Sequence, residues 1–310
     1  MRSLLSGVGG SLTALATPFR DSRLDWEAFG RMAERQLDRG TAGLIVCGST
    51  GEATSLTQSE YARAVHFIAR LAKGRVPVIA GCSAMCTATA MGVATEAAGA
   101  GADALLCAAP AYVKPTQEGI FAHIRGISHA SDLPIVLYDV PSRTGTAIGD
   151  DTVARLHDGG LIAGLKDATA DVTRPQRLRD RCGEAFMQWS GDDATAPAYR
   201  AMGGMGCISV TANLAPALCA QLHQAWDNGE LCRFAALRDL LQPLHAALFV
   251  ESNPIPLKAA LANLGLCSNE VRLPLTRASP ATQEKLLAVM AAVGQAEEHA
   301  ARWPALALAS

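Results

Sequence analysis

Eight short apolar or β-branched runs punctuate the first two-thirds of the chain, at residues 10–16, 43–48, 76–81, 103–109, 133–140, 161–167, 185–191 and 206–212. They read as near-continuously apolar rather than alternating, the pattern of strands covered on both faces of a parallel sheet. Between them the period lengthens to that of helices. In "DWEAFGRMAERQLDRG" the residues Trp26, Phe29, Ala33, Gln36 and Leu37 fall largely on one side, and Gly40 ends the segment. A capping box, Thr57 with Glu60, opens "YARAVHFIARLAKG", where Val65, Ile68, Ala69 and Ala72 share a face before Gly74.

Eight strand–helix units over residues 1–229 predict an α/β protein built as a (β/α)8 TIM barrel. A doubly wound sheet is the rival, disfavoured because no G-x-G-x-x-G follows the first run. From residue 230 onward no strand pattern appears, and "ELCRFAALRDLLQPLHAALF", "PIPLKAALANLGL" and "ATQEKLLAVMAAVGQAEEHAARW" read as helices. Residues 230–310 are therefore expected to form a C-terminal helical region, and with no low-complexity linker before it, to pack against the barrel.

Composition narrows the function. A net charge of -2 with 18% charged residues argues against a nucleic-acid-binding or disordered chain. Nine cysteines, an odd number with no C-x-x-C, fit a reducing compartment better than a disulfide scaffold. The seven histidines include no H-x-H or H-E-x-x-H, so no metal is expected. The opening "MRSLLSGVGGSLTALATPF" loosely imitates a signal peptide, but glycines and serines interrupt it. It reads better as a first strand ending at Pro18, and no run is long enough to span a membrane, so a cytoplasmic location is expected.

In a barrel of this kind the active site is built where the strands end, and reactive residues cluster there. "GSTGE" supplies Ser49 and Thr50, "PAYVKPTQEG" supplies Tyr112, and "LYDVPSRTG" supplies Tyr138 and Arg143. The run at 161–167 ends in Lys166. By contrast "GGMG" at 203–206 precedes the last strand and reads as a tight turn on the opposite, stabilising face.

Lys166 admits two readings. A lysine at a strand end commonly snorkels to water. A pocket that disfavours the ammonium instead frees the lone pair to condense with a ketone, and Gly164, two residues back on the same face, is expected to leave room beside it. Tyr138 on its own is a half-buried aromatic; next to such a lysine it can shuttle protons. Ser49 and Thr50 either shape a turn or hold a small carboxylate, and Arg143 is either a solvated charge or a bidentate grip on a second carboxylate.

The ordered set "GSTGE", "AYVKPTQEG", "LYDVPSRTG", "GLKDAT", "SGDDA", "GCISVTAN" and "FVESNPIPLKAAL", spread from about Gly10 to Leu275, resembles the dihydrodipicolinate synthase family of pyruvate-dependent enzymes. The resemblance implies that Lys166 forms an imine with pyruvate, whose enamine attacks L-aspartate 4-semialdehyde, with no metal or organic cofactor. It implies that Tyr138 shuttles protons, and that Ser49 links it to a Tyr112 lent by a neighbouring subunit. Thr50 would hold the pyruvate carboxylate and Arg143 that of the semialdehyde, while Gly191 and Ile208 would line the pocket through backbone carbonyls. A homotetramer, a dimer of dimers, is implied as well.

Departures from the commonest pattern are Ser49 for threonine, Asp139 for asparagine and Ala170 for glycine. Ser49 also suits the N-acetylneuraminate lyase branch, so cleavage of a 2-keto-3-deoxy sugar acid is the alternative, and a non-catalytic paralogue is the third reading. At the positions matching the family's lysine feedback site stand Met85, Thr89 and Ala111, with Ala53, Gln58 and Tyr61 on the other flank. None is a carboxylate, so weak or absent inhibition by lysine is expected. The tail "RWPALALAS" extends past the resemblance.

Overall fold

The apolar runs become the strands of a closed parallel barrel in a computed structural model that describes residues 5 and 7–302. In chain order the strands are β1 (Gly10–Ala14), β2 (Phe19–Arg20), β3 (Arg23–Leu24), β4 (Gly43–Val46), β5 (Val78–Gly81), β6 (Ala104–Ala108), β7 (Ile135–Asp139), β8 (Gly164–Asp167), β9 (Met187–Ser190) and β10 (Gly206–Ser209). The eight barrel strands are β1 and β4 to β10; β10 returns to pair with β1, which aligns Gly10 with Gly206. Residues 1–4, 6 and 303–310, which include the first few residues of the signal-like opening and most of the apolar tail, lie outside the described residues.

One element had no sequence signal. β2 and β3 form a small antiparallel hairpin whose turn residues, Asp21 and Ser22, both have positive φ, 51° and 63°. Two left-handed residues are what a tight hairpin turn demands, and asparagine–glycine is its usual marker; Asp-Ser does not advertise it.

Alternation along the strands sends one set of side chains inward. Leu12, Ile45, Ile79, Leu106, Val136 and Ile208 fill the barrel with Trp189, whose indole Nε1 donates to the Val8 carbonyl at 2.9 Å. A Cβ on Gly164 would lie 2.9 Å from Trp189 Cζ3 and 2.5 Å from the Met187 carbonyl oxygen. The room at Gly164 is thus occupied by the tryptophan, not by Lys166 as the sequence suggested. The other face packs on the outer helices, including Trp26–Asp38, which buries Phe29, Met32 and Ala33, and Gln58–Ala72, with the predicted capping box in place.

Three helices, Leu231–Ala247, Ile255–Asn263 and Pro280–Arg302, follow the barrel and are tied to it by charge as well as by apolar contact. Glu297, 2% exposed, accepts from the amides of Ala217 and Leu218 at 3.1 and 3.0 Å and from Arg39 at 2.9 Å. A remote carboxylate thereby serves the first turn of helix Pro216–Asp227, which has no side-chain cap of its own. On the other side of the barrel Arg272 grips Glu60 through both terminal nitrogens at 2.6 and 2.7 Å.

That grip lowers the Glu60 carboxyl to about 2 from its ordinary 4.5, chiefly through the Arg272 hydrogen bonds. A depressed carboxylate contributes stability above its unfolded pKa and loses it as pH falls toward the folded one. Glu60→Gln preserves the capping geometry and is expected to cost about 1–2 kcal/mol at neutral pH, a figure discounted for solvent screening. Urea unfolding should find this difference intact above about pH 5 and shrinking toward pH 2. A difference independent of pH would show that the charge is not its source.

Candidate active site

β7 and β8 pair in register, so Tyr138 stands beside Lys166 and Asp139 beside Asp167. Alternation points the first pair into the barrel and the second pair outward. Lys166 is 5% exposed, and its Nζ lies 4.4 Å from the Tyr138 ring centroid, within cation–π range. Among the described residues it makes no ion pair and no side-chain hydrogen bond. Lysines are rarely buried in that condition, because desolvation of the ammonium is then uncompensated.

Lys258 provides the internal contrast. It is 0% exposed, but it pairs with the Glu52 carboxylate, donates to the Glu270 carbonyl at 2.8 Å and lies over the Phe19 ring. Burial lowers its pKa and the Glu52 carboxylate opposes that shift. Lys258 is a satisfied structural lysine. Lys166 has no such partner and opens onto a cavity of about 620 Å³ at the C-terminal mouth of the barrel.

Space for the Lys166 side chain comes from Gly191, just past β9. Its amide donates to the Asp167 carbonyl at 2.6 Å, and a Cβ there would meet Lys166 Cε at 3.0 Å and Ala168 Cβ at 2.9 Å. Across the cavity lies the turn of "GSTGE", entered and left through two non-glycine residues with positive φ, Cys47 at 54° and Glu52 at 52°. The Glu52–Lys258 pair anchors the end of this turn to helix Ile255–Asn263. Burial pushes the Cys47 thiol up, so it is a poor competitor for a carbonyl carbon.

Two candidate carboxylate grips converge on a residue that the sequence reading did not single out. The Asn253 side-chain amide donates to Thr50 Oγ1 at 3.0 Å, and the Asn253 carbonyl accepts from Arg143 Nη2 at 3.0 Å. Because Thr50 accepts there, its own hydroxyl hydrogen is left to donate elsewhere. Arg143 sits on the one-turn helix Pro141–Thr144, and the segment from Phe249 to Asn253 covers the cavity from the C-terminal side. Asn253 lies 203 residues from Thr50, and only its place within "FVESNPIPLKAAL" hinted at a role.

Ser49, Thr50, Tyr138, Arg143, Lys166 and Gly191 all line this cavity. Ile208 is wholly buried among the barrel's interior side chains, and Val210, two residues on, reaches the lining. Tyr112 stands apart: it is 87% exposed, with a strained φ of 71°, and does not line its own chain's cavity. A second cavity of about 280 Å³ adjoins the first, sharing Ser49, Tyr138, Arg143 and Asn253. Among the described residues no group of three or more His, Cys, Asp or Glu could hold a metal ion.

Gly191→Ala tests the fit around the amine. The added methyl is expected to lower turnover by about tenfold or more through displacement of Lys166, and to lower the melting temperature as well, because it also meets Ala168 Cβ at 2.9 Å and the Asp167 carbonyl oxygen at 3.2 Å. Unchanged turnover would mean that the Lys166 side chain has slack the distances deny.

The chain is similar to known proteins over most of its length. Residues 7–295 match the model of the dihydrodipicolinate synthetase family. A 4-hydroxy-tetrahydrodipicolinate synthase of Rhodospirillum centenum is 47% identical over 285 residues, 92% of this chain and 98% of that protein. The dihydrodipicolinate synthase of Acinetobacter baumannii, solved in complex with pyruvate, superposes with a TM-score of 0.89 at 38% identity, over 93% of this chain and 99% of that one. A monomeric dihydrodipicolinate synthase variant superposes with a TM-score of 0.91 at 38% identity, over 94% and 99%. The chain belongs to the dihydrodipicolinate synthetase family.

Proposed function

We propose that this lyase condenses pyruvate with L-aspartate 4-semialdehyde to give 4-hydroxy-tetrahydrodipicolinate, the ring-forming step toward diaminopimelate and lysine. The observation that carries the reading is the buried Lys166 amine without a carboxylate partner, beside Tyr138 at the mouth of a closed barrel. The neutral amine attacks C2 of pyruvate and water leaves, giving an imine. Loss of a proton from C3 gives the enamine, whose C3 attacks the aldehyde carbon, and the aldehyde oxygen takes a proton. The substrate's amino group then attacks C2 and displaces Lys166 as the ring closes. Atoms balance with no cofactor.

Tyr138 moves protons in the imine-forming and imine-breaking steps. Thr50, its hydroxyl oriented by Asn253, donates to the pyruvate carboxylate, and Arg143, held by the Asn253 carbonyl, takes the carboxylate of the semialdehyde. Gly191 shapes the pocket beside the amine, and the backbone of Ile208, two residues before the lining Val210, has the same part only as the family resemblance implies it. Ser49 completes a proton relay with a Tyr112 contributed by a neighbouring subunit. The exposure and left-handed backbone of Tyr112, away from its own cavity, support that assignment, which requires a dimer; the family resemblance extends it to a dimer of dimers.

Weak or absent inhibition by lysine belongs to the same reading. Met85 is 67% exposed and apolar, Thr89 faces Cys86 Sγ at 3.0 Å, and the Tyr61 hydroxyl is engaged by the Gly81 carbonyl at 2.9 Å. With Ala53, Gln58 and Ala111 completing the set, nothing there offers a carboxylate to a ligand ammonium. Among the described residues no helix is long and apolar enough to cross a membrane, in keeping with a cytoplasmic biosynthetic enzyme.

Pyruvate consumption should require the semialdehyde in an assay coupled to the next reductase, read as NADPH oxidation. Arg143→Ala is expected to lower kcat/KM for the semialdehyde by about a hundredfold and to change pyruvate binding far less. No turnover, from a protein that still traps pyruvate on Lys166, would move the assignment to a sugar-acid lyase, and turnover untouched by Arg143→Ala would remove the role given to the arginine. In the same assay millimolar lysine should leave most of the activity, and strong inhibition below that range would overturn the predicted insensitivity.

A further inference from the structure

The outer face of β7 and β8 carries a second pair of side chains that mirrors the reacting one. Asp139 and Asp167, each one residue past Tyr138 and Lys166, stand in register with side chains 0% and 1% exposed. Arg174, the first residue of helix Arg174–Cys182, reaches between them. Its Nη1 lies 2.7 Å from Asp139 Oδ2 and 3.5 Å from Asp167 Oδ1. The rest of the fork is fixed too, with Nε on Asp150 at 2.9 Å and Nη2 on the Ile148 carbonyl at 2.6 Å. None of these groups lines the cavity.

Two neighbouring carboxylates in a dry setting repel each other, and here the repulsion would act on the ends of the two strands that carry the reacting residues. Burial and the neighbouring Asp167 carboxylate push the Asp139 carboxyl up, while Arg174 works against them. For Arg174 itself, burial disfavours the cation and the Asp167 and Asp139 carboxylates more than compensate. The guanidinium is the one cation bonded to both strand ends among the described residues. A shift of either aspartate is a shift of the residue before it, because adjacent strand residues share one stiff backbone.

We propose that Arg174 is a positioning residue for the reaction: by drawing Asp139 and Asp167 together behind β7 and β8, it sets the spacing of Tyr138 and Lys166 on the opposite face. The proposal rests on the reading of Lys166 as the imine-forming amine.

The test compares Arg174→Gln, Arg174→Lys, Asp139→Asn and the double variant Arg174→Gln/Asp139→Asn. In each, functional sites are titrated by borohydride trapping of pyruvate, and turnover with the semialdehyde is expressed per trapping site. A purely structural role lowers melting temperature and the number of trapping sites but leaves turnover per site alone. The positioning role lowers turnover per site by about tenfold in Arg174→Gln, while Asp139→Asn stays within about threefold of the parent. The double variant, with one carboxylate neutralised, should regain about threefold or more over Arg174→Gln.

Arg174→Lys keeps the charge and so the fold, but a single ammonium cannot hold both carboxylates, Asp150 and the Ile148 carbonyl together; it should lose about fivefold per site. Unchanged turnover per site in Arg174→Lys, or no recovery in the double variant, would overturn the proposal. A parent protein that traps no pyruvate on Lys166 would refute the underlying reading of the site instead, whatever Arg174 does.

Discussion

Two lysines are buried in this barrel, and the difference between their surroundings organises the molecule. An ammonium taken out of water is costly unless an opposite charge and hydrogen bonds compensate it. Lys258 is compensated in this way, with Glu52, the Glu270 carbonyl and the Phe19 ring around it. Lys166 has only the Tyr138 ring and open cavity. Its nearest carboxylate by sequence, Asp167, points to the other face of the strand and is engaged by Thr169 and Arg174. The period-two geometry of a strand therefore keeps a negative charge one residue away and out of reach of the amine. That separation leaves Lys166 without a carboxylate partner, which the proposed nucleophilic role requires.

The C-terminal region is part of the site rather than an attachment to it. Asn253 joins Thr50 to Arg143, and Lys258 secures the turn that presents Ser49 and Thr50. Arg272, a little further on, closes over Glu60 and donates its backbone amide to Glu52 at 3.0 Å. Buried ion pairs contribute little net stability against an apolar alternative, and their value lies in fixing one arrangement. Here the arrangement fixed is that of a turn with two left-handed residues, which local preference alone would not hold.

Much of this was legible from the chain itself. The barrel follows from eight apolar runs separated by helical periods, because burial on both faces leaves a continuous signature that needs no partner information. Lys166, Tyr138, Thr50 and Arg143 line one cavity, as their positions at strand ends predict, because strand ends in such a barrel share one face of the molecule. What stayed hidden depends on distant pairings. Asn253 is a plain loop residue until Thr50 and Arg143 come to it across 203 and 110 residues. Gly164 was misread because the side chain that fills its space, Trp189, arrives from the next strand. Arg174 looked like one of several arginines in "TRPQRLRDR", and only the fold reveals that it alone is buried between two strand ends.

The proposed reaction requires that Lys166, and not the other buried lysine, be the nucleophile. Borohydride reduction in the presence of pyruvate, followed by peptide mapping, tests it most directly. The predicted result is a pyruvate-dependent adduct on the peptide containing Lys166 and none on that containing Lys258. An adduct on Lys258, or a protein left unlabelled under conditions where it turns over, would contradict the assignment.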